Sequence, residues 1–167
     1  SSSGIRTVST LASGLQGMER LETLAMRCSE CKYLLNVAGL GALSNLKRLK
    51  ACTLDFSFSG VNNLFALGCG LSGMKQLETL ALDFTGCKAL AELVGFDALG
   101  SLQTLQTCSV NLSSSGIRDV SALVSGLACM EQLEVLMLDF AGCKALANVA
   151  SLDALSSLKA LKECKIK

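Results

Sequence analysis

Proline, histidine and tryptophan are all missing from the 167 residues. Without histidine, no Ser/His or Cys/His pair can activate a nucleophile. Without tryptophan, the chain lacks one of the three residue types that dominate binding hot spots. Proline ordinarily makes up about 5% of a chain, so its absence fits repetition of one idealised unit. Such absences favour a designed array over an ordinary evolved domain.

Charge is scarce too. Charged residues make up 17% of the chain, against roughly 25% in an average soluble domain. The net charge of +1 gives no field that would gather nucleic acid or anionic lipid. The densest basic run, Lys47-Arg48-Leu49-Lys50, is no polybasic anchor. No stretch reaches the ~20 continuous apolar residues of a membrane span. The opening Ser1-Ser2-Ser3-Gly4 has neither the basic start nor the apolar run of a secretory leader, and no initiator Met precedes it. A processed chain or a segment of a longer protein is expected.

What is present is a repeat. Met18, Met74 and Met130 stand 56 residues apart, as do Cys31, Cys87 and Cys143, and Cys52, Cys108 and Cys164. Ser-x-Ser-Gly recurs at 1–4, 57–60 and 113–116. Three 56-residue units, starting near 1, 57 and 113, fill the chain to within one residue. Each divides again at 28, because Leu77-Glu-Thr-Leu80-Ala-Leu82-Asp-Phe84 aligns with Leu105-Gln-Thr-Cys108-Ser-Val110-Asn-Leu112. The first half (A) continues into Gly-Cys-Lys-Ala-Leu, the second (B) into Ser-x-Ser-Gly. Residues 1–167 thus read as one domain of about six repeats.

Two periods alternate within a repeat. Leu80, Leu82 and Phe84 are two apart, as in a half-buried strand. Equivalent strands are expected at Leu24-Met26-Cys28, Cys52-Leu54-Phe56, Cys108-Val110-Leu112, Leu136-Leu138-Phe140 and Cys164-Ile166. Leu90, Leu93, Phe96 or Gly95, Leu99 and Leu102 then follow a three-to-four spacing, as do Val120, Leu123, Leu127 and Met130, which predicts helices in both halves. Gly95, Gly100 and Gly126 weaken those helices and leave them dependent on packing. One strand with one helix cannot bury its apolar side alone. The expected fold is α/β: a curved solenoid with a parallel sheet on the concave face and helices on the convex face.

With this pattern the sequence resembles the leucine-rich-repeat family over nearly its whole length. The A/B alternation is most similar to the ribonuclease-inhibitor-like subtype, which places Cys and Asn alternately at the turn after the strand. Cys31, Cys87 and Cys143 match; Ser59 and Ser115 stand where Asn is expected, and Phe84 and Phe140 depart from the pattern. The resemblance implies protein binding on the concave face, by a fold that serves many ends.

Of the nine cysteines, six form ladders at fixed repeat positions, and buried reduced thiols are expected. Cys28-Ser29-Glu30-Cys31 has the C-x-x-C form, but no second such pair and no histidine complete a zinc site. Cys28 is replaced by Phe84 and Phe140 in later units, as a core side chain would be. Like cysteines two repeats apart are too distant for a disulfide. The Ser-x-Ser-Gly segment lacks the pattern of a phosphate loop and reads as a turn with a serine or aspartate cap. Asp55, Asp83 and Asp139 recur too regularly to be a catalytic pair, whose two environments must differ. No enzyme, metal or cofactor is expected.

The residues between the strand's apolar positions face outward and form a small, mildly polar row. Arg27, Asp55, Asp83, Asn111, Val135, Met137 and Asp139 are its candidates for binding a protein, with Val135 and Met137 beside Asp139 the most distinctive patch. A scaffold of the protein-interaction type, or a designed one without a target, is the leading reading. Self-association through uncapped ends is the alternative. Glu163-Cys164-Lys165-Ile166-Lys167 forms a last strand whose lysines blunt its edge. The first helix, around Val8, Leu11 and Leu15, is expected to leave an apolar side open. Reduced thiols and the missing leader would put a natural version in the cytoplasm.

Overall fold

A computed structural model describes residues 8–15, 17–147 and 149–167, and for Thr10, Leu11 and Ala12 the backbone only. The expectations for Ser1–Gly4 and for the Leu11 side chain lie outside the described residues. Six strands form one parallel sheet in chain order: β1 (Thr23–Arg27), β2 (Ala51–Asp55), β3 (Thr79–Asp83), β4 (Thr107–Asn111), β5 (Val135–Asp139) and β6 (Glu163–Ile166). Every pairing keeps a register of 28 residues, as in Leu54 against Leu82 and Leu82 against Val110. This is a solenoid of the leucine-rich-repeat kind, and the period-two rows read from the sequence are its strands.

The connecting segments are helical in both halves, as expected, but of two kinds. The B halves form α-helices: α2 (Phe65–Ser72) and α3 (Ser121–Leu127), with α1 (Ser9–Leu15) ahead of β1. The A halves form 3-10 helices: η1 (Ala38–Asn45), η2 (Phe96–Ser101) and η3 (Ala150–Ser157). Spacing explains the difference. In the second A repeat the buried row is Phe84, Cys87, Leu90, Leu93, Phe96, Leu99, Leu102 and Leu105, three apart throughout. Three residues per turn is the period of a 3-10 helix. The hydrogen bonds follow the row: Cys87 N–H donates to Phe84 O, Leu90 to Cys87, Phe96 to Leu93, Leu102 to Leu99 and Leu105 to Leu102, at 2.9–3.2 Å. In the B repeat the row steps by two from Ser115 to Ile117 and by four from Leu123 to Leu127. The step of four admits one α-helical turn, closed by Val124 N–H on Val120 O at 3.0 Å. The step of two restores the common length of 28.

Isolated 3-10 runs of this length are uncommon. Here each turn delivers one apolar side chain to the core, worth roughly 1.5–3 kcal/mol when a large one is fully buried. Leu34, Val37, Leu40, Leu43, Leu46 and Leu49 are all fully buried. Helices pack against the helices of adjacent repeats, α2 between η1 and η2 and α3 between η2 and η3. Gly95 is not in a helix interior: it precedes η2 with φ +90°, and its carbonyl lies where a side chain on Gly68 of α2 would have to go. The glycines that weaken these helices are what lets their backbones touch. At the first layer α1 closes on η1 and buries Val8 and Leu15, where an open apolar side was expected. At the last layer all four residues of β6 are exposed.

Candidate functional site

Alternation leaves one face of the sheet uncovered. In β2, β3, β4 and β5 the core-facing residues are buried and their neighbours are half-buried or exposed. All seven residues singled out from the sequence lie on this open face. In register, Arg27 stands beside Asp55, Asp55 beside Asp83, Asp83 beside Asn111 and Asn111 beside Asp139. Val135 lies beside Thr107, and Met137 between Ser109 and Lys165. One shallow depression runs from Arg27 across Asp55 and Asp83 to Asn111. A second gathers Asn111, Met137, Asp139, Lys165 and Lys167.

The acidic row has a local structural duty. Each side chain accepts a hydrogen bond from the backbone N–H two residues on: Asp55 Oδ1 from Ser57 at 2.9 Å, Asp83 Oδ1 from Thr85 at 2.8 Å, Asn111 Oδ1 from Ser113 at 3.0 Å and Asp139 Oδ1 from Ala141 at 2.9 Å. These Asx turns end the strands and start the crossover. Asn111 forms the same turn with an amide, so the turn requires the oxygen and not the charge. Asp139 also meets Lys167 Nζ at 3.6 Å, an exposed pair of small energetic weight.

The turns after β1, β3 and β5 carry the cysteine ladder. Cys87 Sγ donates to Phe56 O at 3.1 Å, and Cys143 Sγ to Leu112 O at 2.9 Å. Ser59 Oγ lies 3.5 Å from Cys87 Sγ, and Ser115 Oγ 3.5 Å from Cys143 Sγ. Both serines are buried. They accept from Val61 N–H and Ile117 N–H at 3.4 and 3.5 Å, bonding the turn as the sequence reading expected. The residues that bond the backbone ahead of α2 and α3 are Asn63, accepting from Phe65 N–H at 3.0 Å, and Asp119, accepting from Ser121 N–H at 2.8 Å. The bonds from Ser121 hold the Asp119 carboxyl below its ordinary value.

Burial pushes the Cys52 and Cys108 thiols up to about 12 and also raises Cys87. Burial, then the neighbouring Cys31 and Asp55, raises Cys28. Cys52, Cys87 and Cys108 are protonated core thiols, poor nucleophiles and poor metal ligands as they stand. Among the described residues no group of three or more His, Cys, Asp or Glu is placed to hold a metal ion, and no helix is long and apolar enough to cross a membrane.

Sequence reasoning missed a set of exposed apolar side chains off the sheet. Leu35, Phe65 and Val94 are each about half exposed. Phe65 and Val94 line one depression with Asn36 and Asn63, where two crossovers meet in a parallel bridge. The signal was available. Leu34-Leu35, Leu64-Phe65 and Leu93-Val94 are apolar doublets, and a row with steps of three takes only the first of each.

No family model matches the sequence, and no curated protein matches it. Among solved structures, the chain is similar to the crystal structure of an internalin C2 from Listeria monocytogenes, with 18% identity, 99% of this chain and 78% of that chain covered, and a TM-score of 0.43. The strand register and the buried rows define a leucine-rich-repeat-like solenoid.

Proposed function

We propose that the chain is a non-enzymatic repeat scaffold whose open sheet face binds a protein partner. The observation that carries this reading is the uncovered row from Arg27 to Asp139, presented in register by five neighbouring strands. Such a face offers many small, evenly spaced contacts and no enclosed reaction chamber. Its carboxylates are engaged in turns, and the buried thiols are held protonated. Arg27 at one end and Met137 near the other are the side chains best suited to anchor a partner, by charge-assisted hydrogen bonds and by adaptable apolar contact respectively. The alternation of Cys31, Cys87 and Cys143 with Ser59 and Ser115 supports the finer reading of a paired A/B module of the ribonuclease-inhibitor-like kind.

Capture of binding proteins from a cell extract on the immobilised chain tests the proposal, with Arg27→Glu and Met137→Arg run beside Ser125→Arg on the exposed side of α3. A partner retained by Ser125→Arg and lost with both open-face variants supports it. A partner lost only with Ser125→Arg refutes it.

Self-association end to end is the less favoured reading. Extending the register of the β2–β3 junction to a second copy would set Lys167 of one copy opposite Arg27 of the next, cation against cation, which disfavours the stack.

A further inference from the structure

Cys28 and Cys31 break the repeat in one respect: only in this turn are both inward-facing ends cysteine. The equivalent turns begin with Phe56, Phe84, Leu112 and Phe140 and end with Ser59, Cys87, Ser115 and Cys143. Both thiols are buried, at 7% and 2% exposure. The turn between them is tight, with Glu30 at φ +60°, and a four-residue turn brings its end Cα atoms within about 7 Å, the range a disulfide spans. The thiols are close enough for the charge on one to oppose ionisation of the other.

Position 28 is also where other repeats hold a ring. Phe56, the next member of that row, stacks on Phe84 at 5.8 Å. The Cys31 thiol donates to Ser29 O within the same turn, at 3.6 Å. The next rung beside Cys31 is Ser59, and the nearest cysteine of the ladder, Cys87, is two strands away, about 10 Å at parallel-sheet spacing. Each thiol of the pair therefore has the other as its partner for a bridge.

We propose that Cys28 and Cys31 form a reversible dithiol–disulfide pair that closes this turn by exchange with a small-molecule disulfide such as oxidised glutathione. Local opening of the turn admits the small disulfide; one cysteine then loses its proton to solvent and attacks a sulfur of it. A mixed disulfide forms and one small thiolate leaves. The second cysteine, deprotonated in turn, attacks the protein sulfur of the mixed disulfide. The Cys28–Cys31 bond forms and the second small thiolate leaves. Two protein thiols are oxidised, one small disulfide is reduced to two thiols, and the two protons end on those thiols. Because Arg27 immediately precedes Cys28, the closed turn fixes the end of the strand that presents Arg27 on the open face.

The readout is favoured by sequence: trypsin cutting after Arg27 and Lys32 releases residues 28–32, which contain these two cysteines and no other. The full chain is equilibrated in glutathione buffers of graded ratio, folded and in urea, then alkylated and digested. In the folded chain the peptide is expected to resist alkylation and to weigh two hydrogens less, reversibly with dithiothreitol. The folded chain should need about tenfold less oxidised glutathione than the chain in urea, since a pre-formed turn raises the effective concentration of the second thiol. A doubly alkylated or doubly glutathionylated peptide from the folded chain overturns the proposal, as does oxidation no easier than in urea. Cys28→Ser, with folding verified by circular dichroism, should leave Cys31 unable to form the bridge; a linkage of Cys31 to another cysteine in the unsubstituted chain would overturn the assignment.

Discussion

Cys87 and Ser59, 28 residues apart, satisfy each other inside the core: their Sγ and Oγ atoms are 3.5 Å apart, and the thiol donates to the carbonyl of Phe56 at 3.1 Å. The pair ties an A turn to the B turn beside it, and Cys143 with Ser115 repeats it two strands on. A buried hydroxyl or carbonyl left without a partner costs ~1–3 kcal/mol. Cys87→Val keeps the volume but takes away the buried partner of the Ser59 hydroxyl and one of the two donors to Phe56 O, the other being Ser59 N–H. It should lower stability by ~1–2 kcal/mol in urea unfolding, whereas Cys69→Ser on the exposed side of α2 should leave the midpoint unchanged.

The left-handed position in each turn yields a pair of opposite effects. Gly86 has φ +69°, and a side chain there would meet the ring of Phe58. Gly86→Ala should cost ~1–2 kcal/mol. Ser114 holds the equivalent place at φ +56° with a side chain in the way. Ser114→Gly should therefore leave stability unchanged or raise it by up to ~1 kcal/mol. Melting temperatures of the two variants should move apart.

The acidic row is separable into turn and charge. Asp83→Asn should keep the fold's stability within ~0.5 kcal/mol, because Asn111 already forms the turn with an amide. Asp83→Ala, which removes the acceptor for Thr85 N–H, should lose ~1 kcal/mol. Equal loss in both would show that the carboxylate charge itself stabilises the sheet.

Alkali should unfold the chain through its thiols. Cys52 and Cys108 titrate from an ordinary 9.0 to about 12 in the folded chain. The folded chain holds those protons more tightly than the unfolded chain. Their contribution is therefore whole below pH 9.0 and is lost as the pH rises toward about 12. Melting temperature followed from neutral pH upward should fall across that window. A Cys52→Ala, Cys108→Ala double variant should start lower and fall less steeply.

Much of this was legible in the letters. Leu80, Leu82 and Phe84 announce a strand because a pleated chain alternates sides whatever surrounds it. The distinction between α and 3-10 turns was legible too, in the unbroken threes from Phe84 to Leu105, but a three-to-four spacing was read as one kind of helix. Gly95 misled because a glycine's φ is invisible in sequence. Ser59 was recognised as a departure from asparagine and as a turn residue. Its contact with Cys87 comes from the neighbouring repeat, and strand-by-strand reading does not supply it. The open face gave the least. Its residues recur with the fold, so their chemistry is shared between holding turns and meeting a partner. Phe65 and Val94 were hidden inside apolar doublets.

Every row described here depends on the 28-residue parallel register. The most direct test is a set of nuclear Overhauser contacts between backbone protons of adjacent strands in labelled protein. Contacts joining Leu54 to Leu82 and Leu82 to Val110 in the parallel pattern are expected. Contacts shifted to other partners, or an antiparallel pattern between the same strands, would contradict that register.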